Sequence, residues 1–232
     1  MDVWVDAAKI RSRQIESGDD ITFCEIFVPY YISLLKERSI GNVLDVGCGT
    51  GHLLKFLSGH FCKGFGVELS KSMYLEARST LQGVSNVQLV RSDISDFTCS
   101  LRFDLIISHM CAHTVDDLDG FLVSISRFLN VGCSFSLTIP HPYFYEKSKG
   151  YRFKNYNEDD FKLVQLSVGS DSNNIIKNIP YWHRPVERYI RSIIASGMII
   201  KDFQEIIPSF KIQSKYNEPW AGPKYIVINC TK

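Results

Sequence analysis

Three glycines at alternate positions, Gly47, Gly49 and Gly51, follow the apolar run Val43-Leu44-Asp45-Val46 and precede His52-Leu53-Leu54-Lys55-Phe56-Leu57. Without Cβ atoms, such a turn bends sharply and lets a ligand approach the backbone closely. The residues after it have helical spacing, so the turn opens a helix whose first N–H groups lack intrahelical partners. An apolar strand, a glycine turn and a helix together form the nucleotide-binding corner of open α/β sheets. Glu68 closes a second short apolar run, Gly64-Phe65-Gly66-Val67. An acidic side chain at that point accepts hydrogen bonds from ribose hydroxyls. Asp93-Ile94 follows a third run at 87–90, and Ser108-His109 ends a fourth, Phe103-Asp104-Leu105-Ile106-Ile107-Ser108. Two imidazoles stand near strand ends, His113 and the proline-flanked His141, and neutral imidazole takes protons near pH 7.

Strand and helix patterns alternate to position these groups. Strands are expected at 64–68, 87–90, 103–108 and 133–139, with helices over 71–81 and 118–129. This rhythm predicts a doubly wound, mostly parallel α/β sheet. Two helices are expected over 1–38, the second from about Ile21 to Glu37, as an N-terminal cover. Residues 141–184 break the rhythm with aromatic, polar and turn-forming residues, and short strands are expected there at 151–155 and 161–168. A helix over 186–196 and strands at 198–207 and 225–230 complete the chain. We expect one domain over 1–232, with a ligand-binding core at 40–140, an insert at 141–184 and a closing segment at 185–232.

Composition bounds the rest. The chain has 232 residues, is 45% hydrophobic and carries a formal net charge of +1. A nucleic-acid binder displaces counterions with a basic excess, so none is expected as a partner. The seven dispersed cysteines include no C-x-x-C pair, which favours reduced thiols and a cytoplasmic location, and no metal site is expected. Apolar stretches are too short to span a bilayer, and no signal peptide is read at the N-terminus. A monomer or a homodimer is expected.

The segment Leu44-Asp45-Val46-Gly47-Cys48-Gly49-Thr50-Gly51, with Glu68 and Asp93-Ile94, resembles the motifs of class I S-adenosylmethionine (SAM)-dependent methyltransferases, specifically over about 40–140 and more weakly over 185–230. The layout is similar to the small-molecule branch. The resemblance implies SAM as cofactor and a seven-stranded sheet whose last strand, at 225–230, is antiparallel. It also implies that Asp45, Gly47, Cys48, Gly49 and Gly51 cradle the methionine portion, along which Ser108 and His109 also lie. Glu68 would take the ribose, Asp93 and Ile94 the adenine, and Leu69 and Met73 complete the cofactor set. An NAD(P) oxidoreductase is the competing enzyme, disfavoured by His52 where a dinucleotide fingerprint has glycine. A non-catalytic SAM-binding scaffold is the other alternative.

Methyl transfer from SAM is an in-line displacement governed by positioning. A general base is needed only for a hydroxyl or a protonated amine, with His141 the first candidate and His113 the second. The context His113-Thr-Val-Asp-Asp equally suits the start of the next helix. Tyr143, Tyr145, Tyr181, Trp182 and His183 are the candidate acceptor contacts, on an insert suited to act as a lid. The alternative is that these rings pack the insert onto the sheet. No Asn/Asp-Pro-Pro-Tyr/Phe sequence follows the fourth strand, and there is no Pro-Cys nucleophile. Their absence removes amino-group methylation of nucleic-acid bases or glutamine and cytosine-C5 methylation. The implied acceptor is a small molecule with an oxygen or nitrogen nucleophile.

Overall fold

A computed structural model describes residues 2–36, 40–144, 146, 155–167 and 175–232. Nine strands are found among them: β1 Asn42–Val46, β2 Lys63–Glu68, β3 Val87–Arg91, β4 Phe103–His109, β5 Leu129–Pro140, β6 Asp160–Ser167, β7 Ile175–His183, β8 Ile199–Ile206 and β9 Tyr225–Thr231. Seven form one sheet in the order β3-β2-β1-β4-β5-β9-β8, and β6 and β7 form a second sheet of two strands. In the large sheet β9 runs antiparallel to β5 and to β8, whereas β1–β2, β2–β3 and β4–β5 are parallel. The expected α/β sheet with an antiparallel final strand is therefore present. The chain divides into two compact units, Met1–Cys99 with Val164–Ile179, and Ser100–Leu163 with Pro180–Lys232.

In the first unit β1 has lost the two-residue alternation, because Val43, Leu44, Asp45 and Val46 are all buried. Helix α3 (His52–Leu57) follows the glycine turn, and α4 (Lys71–Thr80) follows β2. Ser70 caps α4, its hydroxyl accepting the Met73 N–H at 3.1 Å. Asp2 reaches the same helix start, its carboxylate accepting from the Ser70 hydroxyl at 2.9 Å and the Ser72 N–H at 2.8 Å. The N-terminal helices are α1 (Val5–Glu16) and α2 (Val28–Lys36). The single helix expected from Ile21 is instead π-helical over Phe23–Phe27 before α2 begins.

In the second unit β4 buries Phe103, Leu105, Ile106 and Ile107, and Asp117 caps α5 (Leu118–Ser126) by accepting the Gly120 N–H at 3.0 Å. Burial of such side chains stabilises by about 1.5–3 kcal/mol each. Helix α6 (Val186–Ala195) is tied to α5 by Arg188, which meets both carboxylate oxygens of Asp119 at 2.8 Å. A short helix α7 (Phe210–Gln213) precedes β9.

Two expectations need correction. The helix expected to reach residue 129 stops at Ser126, and the strand expected from 133 begins at Leu129, with Gly132 inside it at φ +79°. The β4–β5 register shifts between Phe103 and Leu105 to accommodate that detour. Strand β7 was not expected, because Pro180 and the left-handed Asn178 (φ +58°) interrupt its pattern; proline is confined to edges and bulges of sheets. The strand expected at 151–155 lies outside the described residues except for Asn155, which is not in a strand.

Candidate active site

In the first unit the carboxyl ends of β1 and β2 bring together most of the expected cofactor set. Gly47 and Cys48 donate their N–H groups to the Val67 carbonyl at 2.8 and 3.2 Å, which folds the glycine turn back onto β2. Gly49 adopts φ +55°, and a Cβ built on it would meet nothing within 4 Å, so open space faces the backbone here. Gly51 serves packing instead: a Cβ there would lie 3.1 Å from that of Ala77 on α4. His52 is buried, with Nδ1 2.9 Å from the Thr50 hydroxyl and Nε2 3.5 Å from Glu16. A histidine, not a close-packed glycine, thus fills the position that a dinucleotide fingerprint needs.

Glu68 bridges strand and turn. One carboxylate oxygen accepts the Gly49 N–H and the other the Ser70 N–H, both at 2.8 Å. Each oxygen has a second lone pair, so acceptor capacity remains. Burial pushes the Glu68 pKa up, against the pull of those N–H groups. Asp45 is buried without a hydrogen-bond partner for Oδ1. Burial, reinforced by the Glu68 charge, pushes its pKa up to about 8. An unpartnered buried carboxyl is costly, and a ligand cation would relieve it. Asp93 uses Oδ1 to accept the Ser95 N–H at 2.9 Å, an Asx turn that leaves its other oxygen available, and Ile94 is buried. Leu69 is 65% exposed at the end of β2, while Met73 is buried.

The remaining expected residues lie in the second unit. Ser108 is fully buried at the end of β4, and His109 is half-buried. The next residue, Met110, adopts φ +54°, a backbone state that non-glycine residues rarely hold and that clusters at ligand sites. Sequence reading carries no signal for it. His113 is buried against the Tyr181 ring, with centroids 5.7 Å apart. Burial first, then the Arg184 charge, lowers its pKa to about 3, so the imidazole stays neutral.

His141 is engaged on both sides. Its Nε2 lies 2.9 Å from Glu205, and Nδ1 accepts the N–H groups of Tyr143 and Phe144 at 3.2 and 3.4 Å. That network fixes the tautomer with the proton on Nε2. His183 is fully buried, with Nδ1 2.6 Å from the equally buried Glu146 and Nε2 3.0 Å from the Tyr156 carbonyl. Trp182 packs against Phe161, and the Arg184 guanidinium lies over its indole at 5.2 Å. Tyr143, 46% exposed, is the expected acceptor contact most open to a ligand; Tyr145 lies outside the described residues. Arg184, outside the expected set, donates to the carbonyls of Val115 and Asp116 at 2.7 and 2.6 Å and fixes the segment after β4. Glu205 and Glu146 were likewise missed, since each lies far along the chain from the histidine it meets. Among the described residues no cluster of three or more His, Cys, Asp or Glu could hold a metal.

Comparison with known proteins places this geometry. Residues 43–132 match the family model described as a methyltransferase domain. A Bacillus mycoides protein named as an uncharacterized methyltransferase is 31% identical over 120 residues, which are 50% of this chain and 55% of that protein. The match thus spans about half of that relative's length. Among solved structures, a SAM-dependent methyltransferase from Clostridium acetobutylicum superposes with a TM-score of 0.67 at 18% identity, covering 95% of this chain and 98% of that one. The glycopeptide N-methyltransferase MtfA, solved with SAM, gives a TM-score of 0.61 at 16% identity over 87% of this chain and 86% of that one. Residues 43–132 thus match the model of a methyltransferase domain, and the chain has the fold of these SAM-dependent methyltransferase structures.

Proposed function

We propose that the chain transfers a methyl group from SAM to a small-molecule acceptor. The carrying observation is the cradle of the first unit: an unpartnered, buried Asp45 carboxyl and a Glu68 carboxylate with spare acceptor capacity beside open space at Gly49. These residues fit a ligand with a cationic amino-acid end and a ribose. In this reading Asp45, Gly47, Cys48, Gly49 and Gly51 hold the methionine portion. Glu68 holds the ribose, and Asp93 and Ile94 the adenine, flanked by Leu69 and Met73. SAM supplies an electrophilic methyl group on a sulfonium. The protein's task is to hold the acceptor in line and exclude water.

The two imidazoles bear on the acceptor's chemistry. His141 precedes Pro142 and accepts from the N–H groups two and three residues on, the pattern of a helix N-cap followed by proline. This supports a capping role for His141, with Glu205 fixing the ring. His113 is held neutral with its pKa near 3, which disfavours its protonated form as a proton is taken up. Both features favour an acceptor that is nucleophilic without a general base, and an amine delivered neutral fits best. MtfA, which has this fold, is named as an N-methyltransferase.

The test is transfer of labelled methyl from SAM to a panel of amines, phenols and sugars. Amines should be turned over, with a rate that rises with pH through the amine's own pKa. Turnover of alcohols alone, lost in His141→Asn, would restore the general-base mechanism.

A further inference from the structure

Two carboxylates meet at the start of α4: Glu68 from the end of β2, and Asp2 from the segment ahead of α1. Ser70 stands between them. Its backbone N–H donates to Glu68 at 2.8 Å, and its hydroxyl donates to Asp2 at 2.9 Å. Glu68 in turn accepts the Gly49 N–H at 2.8 Å. Hydrogen bonds therefore run from Asp2 through Ser70 and Glu68 to the glycine turn. Asp2 also accepts the Ser72 N–H at 2.8 Å and the Trp4 N–H at 3.1 Å. Burial pushes the Asp2 pKa up, but the bonds from Ser72, Trp4 and Ser70 outweigh it and hold the carboxyl below its ordinary value.

Helix capping alone does not account for Asp2. The cap of α4 is already present, because the Ser70 hydroxyl accepts the Met73 N–H at 3.1 Å. A carboxylate at a helix start is favourable in itself, but this one lies close enough to Glu68 to add to the effect of burial on that carboxyl. Glu68 acts on Asp45 in the same sense. The three acidic groups are thus coupled in series, and a cationic ligand in the cradle relieves their repulsion. The segment that carries Asp2 is anchored behind by α1. Ala7 and Ala8 of that helix are buried, and the Ser12 hydroxyl donates to Glu76 of α4 at 3.2 Å.

We propose that Asp2 is a positioning residue of the cofactor cradle, which acts through Ser70 to hold the Glu68 carboxylate where it meets the ribose. This rests on the SAM reading above and extends it to the N-terminal segment. Without Asp2 the Ser70 hydroxyl loses its acceptor, the first turn of α4 loosens, and Glu68 is held less firmly. Linked side-chain bonds of this kind are worth more together than singly.

Calorimetry of the full chain with SAM tests the link as a double-mutant cycle. Asp2→Ala, checked for folding by circular dichroism, should weaken SAM binding about tenfold. Asp2→Asn keeps an acceptor oxygen and should stay within about threefold of wild type. In a Glu68→Ala background, Asp2→Ala should weaken binding less than about twofold further, because the group it acts through is gone. Hydrogen exchange of the ligand-free protein gives a readout that needs no SAM. The amides of Gly49 and Ser70, both bonded to Glu68, should exchange faster in Asp2→Ala. A wild type that binds no SAM would end the cofactor reading, and the exchange at Gly49 would still decide whether Asp2 holds Glu68. Unchanged SAM affinity in Asp2→Ala overturns the role of Asp2. So does a full loss that persists without Glu68, or unchanged exchange at Gly49.

Discussion

The glycine turn with its two carboxylates and the pair His141 and His183 treat their polar groups in different ways. Around the turn, polar capacity is left open: Asp45 Oδ1 has no partner, and Glu68 retains free lone pairs. His141 and His183 are each engaged at both ring nitrogens, and Arg184 is committed to loop carbonyls, while Ser108 Oγ and His113 Nδ1 nearby in the chain are buried without a hydrogen-bond partner among the described residues. The first pattern is that of a preformed ligand cradle. The second is that of a scaffold that fixes its own loops and leaves the Tyr143 ring 46% exposed. A histidine near a strand end therefore says little about catalysis until both of its nitrogens are accounted for.

The strongest way to break the cradle is Gly49→Val. The backbone there has φ +55°, which a β-branched residue rarely adopts, and the side chain would fill the open space. SAM affinity should fall by more than about 100-fold, read by calorimetry. Glu68→Ala comes next. It removes two charge-assisted hydrogen bonds within the turn as well as the proposed ribose contact, and SAM should bind about 1.5–3 kcal/mol more weakly. Unchanged affinity would mean that the ribose lies elsewhere.

The histidine side of the comparison is sharpened by His141→Asn. Asparagine caps helices as well as any residue, so turnover should stay within about tenfold of wild type, whereas loss of a general base costs about 10²–10⁴-fold. His141→Ala should lower thermal stability by the roughly 0.5–2 kcal/mol of a lost cap.

Confined to the pH dependence of stability is a signature of opposite sign in the two regions. Asp45 has a folded pKa near 8, above its unfolded value, so the folded state holds the extra proton. Its contribution to stability is lost as pH rises from about 4 to about 8. His113 has a folded pKa near 3, below its unfolded value, and its contribution is lost as pH falls from about 6.5 to about 3. Each slope is at most about 1.4 kcal/mol per pH unit. In thermal unfolding of the ligand-free protein, Asp45→Asn should remove the loss of stability on raising pH between about 4 and 8. His113→Gln should remove the loss on lowering pH between about 6.5 and 3. The two slopes oppose each other where these windows overlap. If Asp45→Asn left the loss between about pH 4 and 8 unchanged, the buried carboxyl would not be the source.

The sequence made the first three strands and their turn legible because their signals are local. The apolar run at 43–46, the glycines and Glu68 lie within 26 residues of one another, and each element's chemistry is visible in its own segment. The helix start at Asp117 was equally local, and it accounts for the Asp-Asp context after His113. What stayed hidden depends on distant partners or backbone exceptions. Glu205 meets His141 across 64 positions, and no periodicity encodes that pairing. Strand β7 hides behind Pro180 and the left-handed Asn178, and β5 behind the positive φ of Gly132. The strained Met110 leaves no trace in composition. Tyr181 and His183 were singled out as aromatic or titratable, which also describes residues that bury themselves to hold a loop.

The central claim is that the open polar capacity of the first unit is a SAM cradle. Isothermal titration calorimetry of the full chain with SAM, its demethylated product S-adenosylhomocysteine and NAD tests it most directly. The account predicts low-micromolar or tighter binding of both SAM and its product, with affinity for SAM rising from about pH 6 to about pH 8 as Asp45 gives up its proton. NAD should give no binding heat. Binding of NAD with none of SAM would contradict the account.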